Sequence, residues 1–490
     1  MELPQDFVRR MRKSLGEEAD AFFSCYNKEK TYGLRLNPLK NGGFLSPDSL
    51  PFTLSPVPWA EEGFYAEPGE HPGRHPLHEA GAYYIQEPSA MSAVSLLAPK
   101  PGEIICDLCA APGGKSTAIG GRMAGDGLLV SNEIIPGRAK ILSQNVERLG
   151  ITNCIVTNEP PEKMSKAFPK FFDKILVDAP CSGEGMFRKD DVAIADWSLS
   201  QVELCRNRQE MILSQADRML RPGGVLVYST CTFAPEENEQ QIADFLSKHP
   251  DYILEDWREY LPADCGLTGG QTLEAGGNEF PKKPAGPPDT FKPENTLRLL
   301  PHLVRGEGHF AARLRKLGEE IPAQKTVPDK KKQVSKRQAY KKPADLDKFF
   351  NDLLLNDTDS ETASRILQSR STVHFFGEEC YLTPDAMRSL DGIRILRAGL
   401  HLGTRKKNRM EPSHALAMAL LPREAARVYP CSDESVLAYL RGETLPCDSA
   451  LHSWTLVTYR GFSLGWGKAN GGMLKNHYPK GLRKQITGPL

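Results

Sequence analysis

The sequence predicts an α/β protein centred on a mostly parallel, twisted sheet, and three observations carry that expectation. Between about residues 100 and 250, short apolar runs (Ile104–Leu108, Leu128–Val130, Ile155–Val156, Ile175–Val177, Val225–Val227) alternate with helical stretches such as Arg138–Leu149 and Val202–Leu220. The runs are apolar throughout rather than at every second position, as in strands covered on both faces. The first run also ends in small residues, Ala110-Ala111-Pro112-Gly113-Gly114, which turn a first parallel strand into a helix.

At 490 residues the chain exceeds a single core and predicts several domains. Lys+Arg and Asp+Glu both number 62, so nucleic-acid binding would have to use local basic patches rather than a whole-molecule field. No run of 18 apolar residues occurs, and Met1-Glu2-Leu3-Pro4-Gln5-Asp6 lacks the layout of a signal peptide. A soluble, cytoplasmic protein with no membrane partner is expected. Eleven irregularly spaced cysteines argue against a secreted disulfide framework. Cys106 and Cys109 form a C-x-x-C, but no second pair follows at zinc spacing, so no metal site is expected.

Around the central domain (76–317) the flanks read as follows. Residues 1–75 predict a small α+β domain with a helix over Phe7–Phe23, a strand over Tyr32–Leu36, and a Pro- and Gly-rich loop up to His75. Residues 264–293 read as an inserted loop and Leu297–Leu317 as a last αβ piece. Residues 318–345 carry Lys330-Lys331-Lys332, Lys336-Arg337 and Lys341-Lys342 and read as a basic linker, either a solvated tether or an RNA-contacting arm. Residues 346–490 predict short strands and a basic tail, acid-free from Lys468 to Lys484.

Chemistry concentrates at the ends of the predicted parallel strands. Cys109-Ala110-Ala111-Pro112-Gly113-Gly114-Lys115 would bring backbone close to a ligand at a helix N-terminus. Twenty residues after Gly113, Glu133 ends the next strand, where a carboxylate would accept from two ribose hydroxyls. The loop lacks the glycine of a P-loop at Cys109 and the G-x-G-x-x-G of a dinucleotide reader. For the loop alone a tight turn is an equal alternative, and Glu133 tips the balance to a nucleoside cofactor. The fourth strand ends in Asp178-Ala179-Pro180-Cys181-Ser182-Gly183-Glu184-Gly185 and the fifth in Tyr228-Ser229-Thr230-Cys231-Thr232. Both cysteines therefore fall on the binding edge of an open parallel sheet. Thiols beside a methyl donor suit methylation at C5 of a pyrimidine: a thiolate adding at C6 makes C5 nucleophilic. Asp178 is placed to hydrogen-bond the cytosine edge.

The three segments, in this order, closely resemble the signatures of the Nop/Sun RNA 5-methylcytosine methyltransferases, and the layout is most similar to the bacterial RsmF (YebU) group acting on 16S ribosomal RNA. Gln86-Glu87-Pro88-Ser89, Leu300-Pro301-His302 and Gly308-His309-Phe310 fit as well. The resemblance implies a Rossmann-like methyltransferase domain, with S-adenosylmethionine held by Cys109 to Lys115, Glu133, Arg138 and Asp178. It implies Cys231 as nucleophile and Cys181 as the group that assists release of methylated RNA. Where the family places an acid near the adenine this chain has Asn158, which can still bond an adenine amine. In DNA cytosine methyltransferases the Pro-Cys cysteine attacks, so Cys181 stands as the alternative nucleophile. Gly399 to Lys407, Pro412-Ser413-His414 and Gly461 to Lys468 resemble the group's small α/β and PUA-like RNA-binding extension, and residues 1–75 would bind RNA too. The implied partner is ribosomal RNA or the small ribosomal subunit, not DNA. A non-catalytic RNA-binding assembly factor is the rival, and both intact thiols argue against it.

Overall fold

A computed structural model describes residues 2–40, 46–67, 69–271, 291–319, 344–355, 371–387, 392–407 and 409–484. Its centre is a ten-stranded sheet. The strands are β1 (Ile104–Asp107), β2 (Leu128–Asn132), β3 (Cys154–Thr157), β4 (Phe172–Asp178), β5 (Leu220–Thr230), β6 (Tyr252–Glu255), β7 (Thr268–Gly269), β8 (Leu297–Leu299), β9 (His309–Lys316) and β10 (Ile395–Ala398). Their spatial order is β7-β8-β9-β5-β4-β1-β2-β3-β10, with β6 paired to β9. Pairings among β5, β4, β1, β2 and β3 are parallel; β9 and β10 add antiparallel edges.

The parallel strands are apolar throughout because both faces are covered. Ile105, Leu129, Val156 and Leu176 feed one core, while Cys106, Val130, Ile155 and Ile175 feed the other. The chain leaves β1 for β2 on one side and returns to β4 on the other. Their carboxyl ends thus open the crevice in which such sheets bind ligands.

Several expectations change. Gly16, at φ 54°, divides the opening helix into Gln5–Leu15 and Ala19–Ser24. The stretch read as loop before His75 contains the strands Leu54–Pro56 and Gly63–Ala66. They join Tyr32–Leu36 and Tyr83–Ile85 in a four-stranded sheet that continues past residue 75. The αβ piece at Leu297–Leu317 is instead two antiparallel strands, β8 and β9; β9 is buried because it lies between β8 and β5. Most of the inserted loop (272–290) and of the basic linker (320–343) lies outside the described residues.

The C-terminal region forms a four-stranded sheet (Ser371–Phe376, Glu379–Pro384, Leu400–Lys406, Arg409–Pro412) and a five-stranded sheet that begins at Val428. It is no loose appendage. β10, from this region, closes the central sheet against β3. Leu34, Leu36 and Tyr83 of the N-terminal sheet share one core with Val436, Tyr439, Phe462 and Leu474. Lys484 reaches Glu79 at 2.5 Å, tying the C-terminal region to the short helix Pro76–Glu79. No helix among the described residues is long and apolar enough to cross a membrane.

Candidate active site

At the ends of β1 to β3 the site is built from backbone and carboxylates. Gly113 caps the helix Gly114–Met123 at φ 115°, and a Cβ there would come within 3.2 Å of Leu142 Cδ1, so the turn calls for glycine. Arg35, from the N-terminal sheet, steadies this helix by donating to Gly114 O at 3.1 Å and Thr117 Oγ1 at 2.8 Å. Glu133 is buried; its Oε1 accepts from the Ile135 N–H at 2.9 Å. Arg138 ties the acid to the loop, with Nη1 3.4 Å from Glu133 Oε2 and Nη2 donating to Ala111 O at 2.7 Å. Asn158 donates its amide to Glu133 O and Ile134 O, at 2.7 and 2.9 Å. A bond to a purine amine would therefore use its Oδ1. Burial pushes the Cys109 thiol far up, so it is an inert part of the loop.

At the ends of β4 and β5 the side chains carry the arrangement. Lys115 Nζ lies 2.7 Å from Asp178 Oδ2, and Ser229 Oγ donates to Asp178 Oδ1 at 2.8 Å. Burial works against the Asp178 carboxylate, but the Lys115 ammonium outweighs it and holds the group below its usual range. Cys181 Sγ and Cys231 Sγ are 3.3 Å apart. That contact first, and burial second, raise the Cys181 thiol well above its ordinary value. Cys181 therefore keeps its proton and can donate it toward the Cys231 sulfur.

A buried carboxyl group holds the loop that carries Cys181. Glu237 accepts from the Ser182 N–H at 3.0 Å, Ser182 Oγ at 2.5 Å and Gln209 Nε2 at 2.7 Å. Burial lifts it to about 7 despite these donors. The Gly185 N–H donates to Cys231 O at 2.8 Å, and a Cβ on Gly185 would lie 2.9 Å from that oxygen. The two thiol segments are thus stitched backbone to backbone.

The residues singled out for the cofactor and the chemistry, Cys109 to Lys115, Glu133, Arg138, Asn158, Asp178, Cys181 and Cys231, lie on this edge, and Lys115 joins its two halves. Sequence reasoning missed Asp107, Ser229, Glu237 and the role of His309. Asp107 and Ser229 had a signal in their places at strand ends, and His309 in the segment Gly308-His309-Phe310; Glu237 had none. Asp107 Oδ2 accepts from Ser116 Oγ at 2.6 Å, whereas buried Oδ1 has no hydrogen bond. Burial raises this carboxyl to about 7. An orphaned acid beside a glycine loop and a strand-end glutamate fits a nucleoside that also carries an ammonium group, as S-adenosylmethionine does.

A doubly wound sheet with a loop, an acid and paired thiols at its switch point defines a Rossmann-like methyltransferase. Family models agree along the chain: "16S rRNA methyltransferase RsmB/F" matches residues 94–315 and the "N-terminal domain of 16S rRNA methyltransferase RsmF" residues 3–88. The RsmF first C-terminal domain matches 355–420 and the RsmF PUA domain 426–484. The ribosomal RNA small subunit methyltransferase F of Vibrio vulnificus (strain YJ016) is 30% identical over 98% of this chain and 97% of its own. That of Klebsiella pneumoniae (strain 342) is 32% identical over 98% and 96%. A solved methyltransferase homolog from Pyrococcus horikoshii superposes with a TM-score of 0.51 at 31% identity, covering 64% of this chain and 95% of that one. The chain belongs to the ribosomal RNA small subunit methyltransferase F family.

Proposed function

We propose that the protein methylates C5 of a cytosine in 16S ribosomal RNA, using S-adenosylmethionine, in the cytoplasm. The observation that carries this reading is the pair of thiols 3.3 Å apart beside the Lys115–Asp178 ion pair. The loop Cys109 to Lys115 would hold the cofactor with Glu133, Arg138, Asn158 and Asp178. When bound, S-adenosylmethionine supplies the electrophilic methyl group that C5 takes up.

The chain's own groups account for the rest. Cys231 as thiolate adds to C6, and the electron pair displaced from the 5,6 double bond makes C5 nucleophilic. Asp178, kept ionised and oriented by Lys115 and Ser229, accepts from the 4-amino group of the base and holds the ring in place for this addition. Once C5 is methylated, its proton passes to water, the C5–H electron pair re-forms the double bond, and Cys231 leaves as thiolate. Cys181, which holds its proton at the distance of a hydrogen bond to sulfur, protonates the departing thiolate. The N-terminal sheet and the PUA domain would seat the RNA or the small subunit around this edge.

The two thiols separate the steps. Cys231→Ala should abolish both methyl transfer and any covalent RNA adduct. Cys181→Ala should still form the adduct and transfer the methyl group, trapping protein on RNA as a denaturant-resistant band. The reverse pattern would make Cys181 the nucleophile. Full activity in both variants without an adduct would remove covalent catalysis.

A further inference from the structure

Buried polar atoms without partners are uncommon in folded proteins, and each calls for a physical reason. His309 supplies two of them next to the thiols. It opens β9, whose next residue, Phe310, pairs with Thr230, so His309 lies beside the strand end that carries Cys231. The backbone confirms the approach, since a Cβ on Gly185 would sit 2.9 Å from Cys231 O and 3.0 Å from Gly308 O. His309 is 3% exposed, yet neither Nδ1 nor Nε2 makes a hydrogen bond. Nε2 stands 3.8 Å from Asp178 Oδ1, beyond hydrogen-bond reach and within a small ring movement of it.

The ring's protonation follows from its surroundings. Burial, and after it the charge of Lys115, lowers the imidazole to about 3, so it is neutral at any working pH. A neutral imidazole has one N–H and one bare nitrogen. Asp178 is ionised and can only accept, so the nitrogen facing it, Nε2, carries the proton. Nδ1 is left as a bare acceptor, buried and without a donor from the protein.

We propose that His309 is a positioning residue for the target nucleotide: Nε2–H closes on Asp178, and Nδ1 accepts a hydrogen bond from an N–H or O–H of the incoming nucleotide. The assignment rests on the RNA-methylation reading above. Two groups of a cytidine have the required chemistry, the 4-amino group and the ribose 2′-hydroxyl. Uracil lacks the first and deoxyribose the second, and the analogue lacking the group that Nδ1 bonds would leave it buried and unbonded. A site built for a donor rejects analogues that lack it.

The test compares His309→Phe, which fills the space without polar atoms, with His309→Asn, whose amide carries both a donor and an acceptor. Full-length variants are assayed on transcribed 16S RNA for kcat and KM, and calorimetric binding of S-adenosylhomocysteine checks that each is folded. His309→Phe should lower kcat/KM for RNA by about 10- to 100-fold with cofactor affinity unchanged, and His309→Asn should recover most of the loss. Wild-type kinetics in His309→Phe, or equal loss in both variants, would overturn the proposal. Failure of the wild-type protein to methylate cytosine would instead defeat the underlying reading. RNA with a 2′-deoxycytidine at the methylated position identifies the donor. Its effect disappears in His309→Phe if Nδ1 bonds the hydroxyl and persists in full if Nδ1 bonds the amine.

Discussion

At the ends of β1 to β3, one buried glutamate, one arginine and a glycine turn meet over short sequence distances. Glu133 and Arg138 lie within one strand-to-helix connection, and Arg138 bonds back to Ala111. At the ends of β4 and β5 the two thiols are fifty residues apart in sequence, and the loop of the first is held by side chains distant from it, Gln209 and Glu237. The first half is local and preformed by its turns. The second depends on the sheet being assembled. The Lys115–Asp178 ion pair is where the two halves meet, and it gives the sharpest way to test their independence.

The largest effect is therefore expected from Asp178→Asn. It leaves the Lys115 ammonium buried without its counter-charge, and breaking a largely buried pair in this way costs about 3 kcal/mol or more. Urea denaturation should report that loss, and methyl transfer should fall by at least about 100-fold. Adding Lys115→Met should restore much of the stability but none of the activity. If Asp178→Asn left both unchanged, the halves would be independent and the pair ornamental.

Glu133→Ala addresses the local half alone. Removing a bond to a ligand hydroxyl costs about 1–3 kcal/mol, so S-adenosylmethionine should bind some 5- to 150-fold more weakly. At saturating cofactor, turnover should largely return. Tight ATP binding without binding of the sulfonium compound would defeat the assignment of this half.

The contrast also explains what was legible in the sequence. Glu133 was found because it ends the strand after a glycine loop, a local pattern. Cys181 and Cys231 were found because each ends an apolar run, and the sheet alone brings such ends together. Glu237 carried no local sign: its meaning comes from Ser182, fifty-five residues earlier, and from burial, neither of which periodicity reports. The same limit affected the flanks. Leu297–Leu317 was read as an αβ piece where it is two strands, and β10 was missed as part of the central sheet, because antiparallel edge pairings with distant partners leave little mark on a single segment.

Glu237 gives the third prediction, on the long-range half. Its ordinary value is 4.5 and in the fold it is raised to about 7. Between those values the folded state holds a proton that the unfolded chain has lost. Stability should therefore fall as pH rises from about 4.5 to about 7, and level off above. Glu237→Gln keeps the shape and the Gln209 bond but cannot ionise. It should make this slope shallower, leaving the share of Asp107, whose carboxyl is likewise raised to about 7, and make the protein relatively more stable at pH 8 than wild type, as read by thermal unfolding across the pH range. An unchanged slope would show that Glu237 does not titrate in the window.

The smallest effect concerns the basic tail, and the fold changes how it must be tested. Cutting the chain after Leu317 would strip β10 from the central sheet and uncover the N-terminal core that packs on Val436, Tyr439 and Leu474. Weakened RNA binding after such a cut would report unfolding as readily as lost contacts. Point substitutions avoid this. Lys468 and Lys475 are exposed and sit opposite each other on neighbouring strands of the five-stranded sheet, and Lys468 also lies over the Trp454 ring at 5.7 Å. Two such ammonium groups on one face can each neutralise a phosphate. Replacing both with alanine should weaken RNA binding only a few-fold at moderate salt, but lower the slope of log K against log salt by about 1.4 to 1.8. Cofactor binding and the activity of RNA-saturated enzyme should not change, because neither lysine touches the strand ends. A wild-type slope in the double variant would show that this face carries solvent rather than RNA.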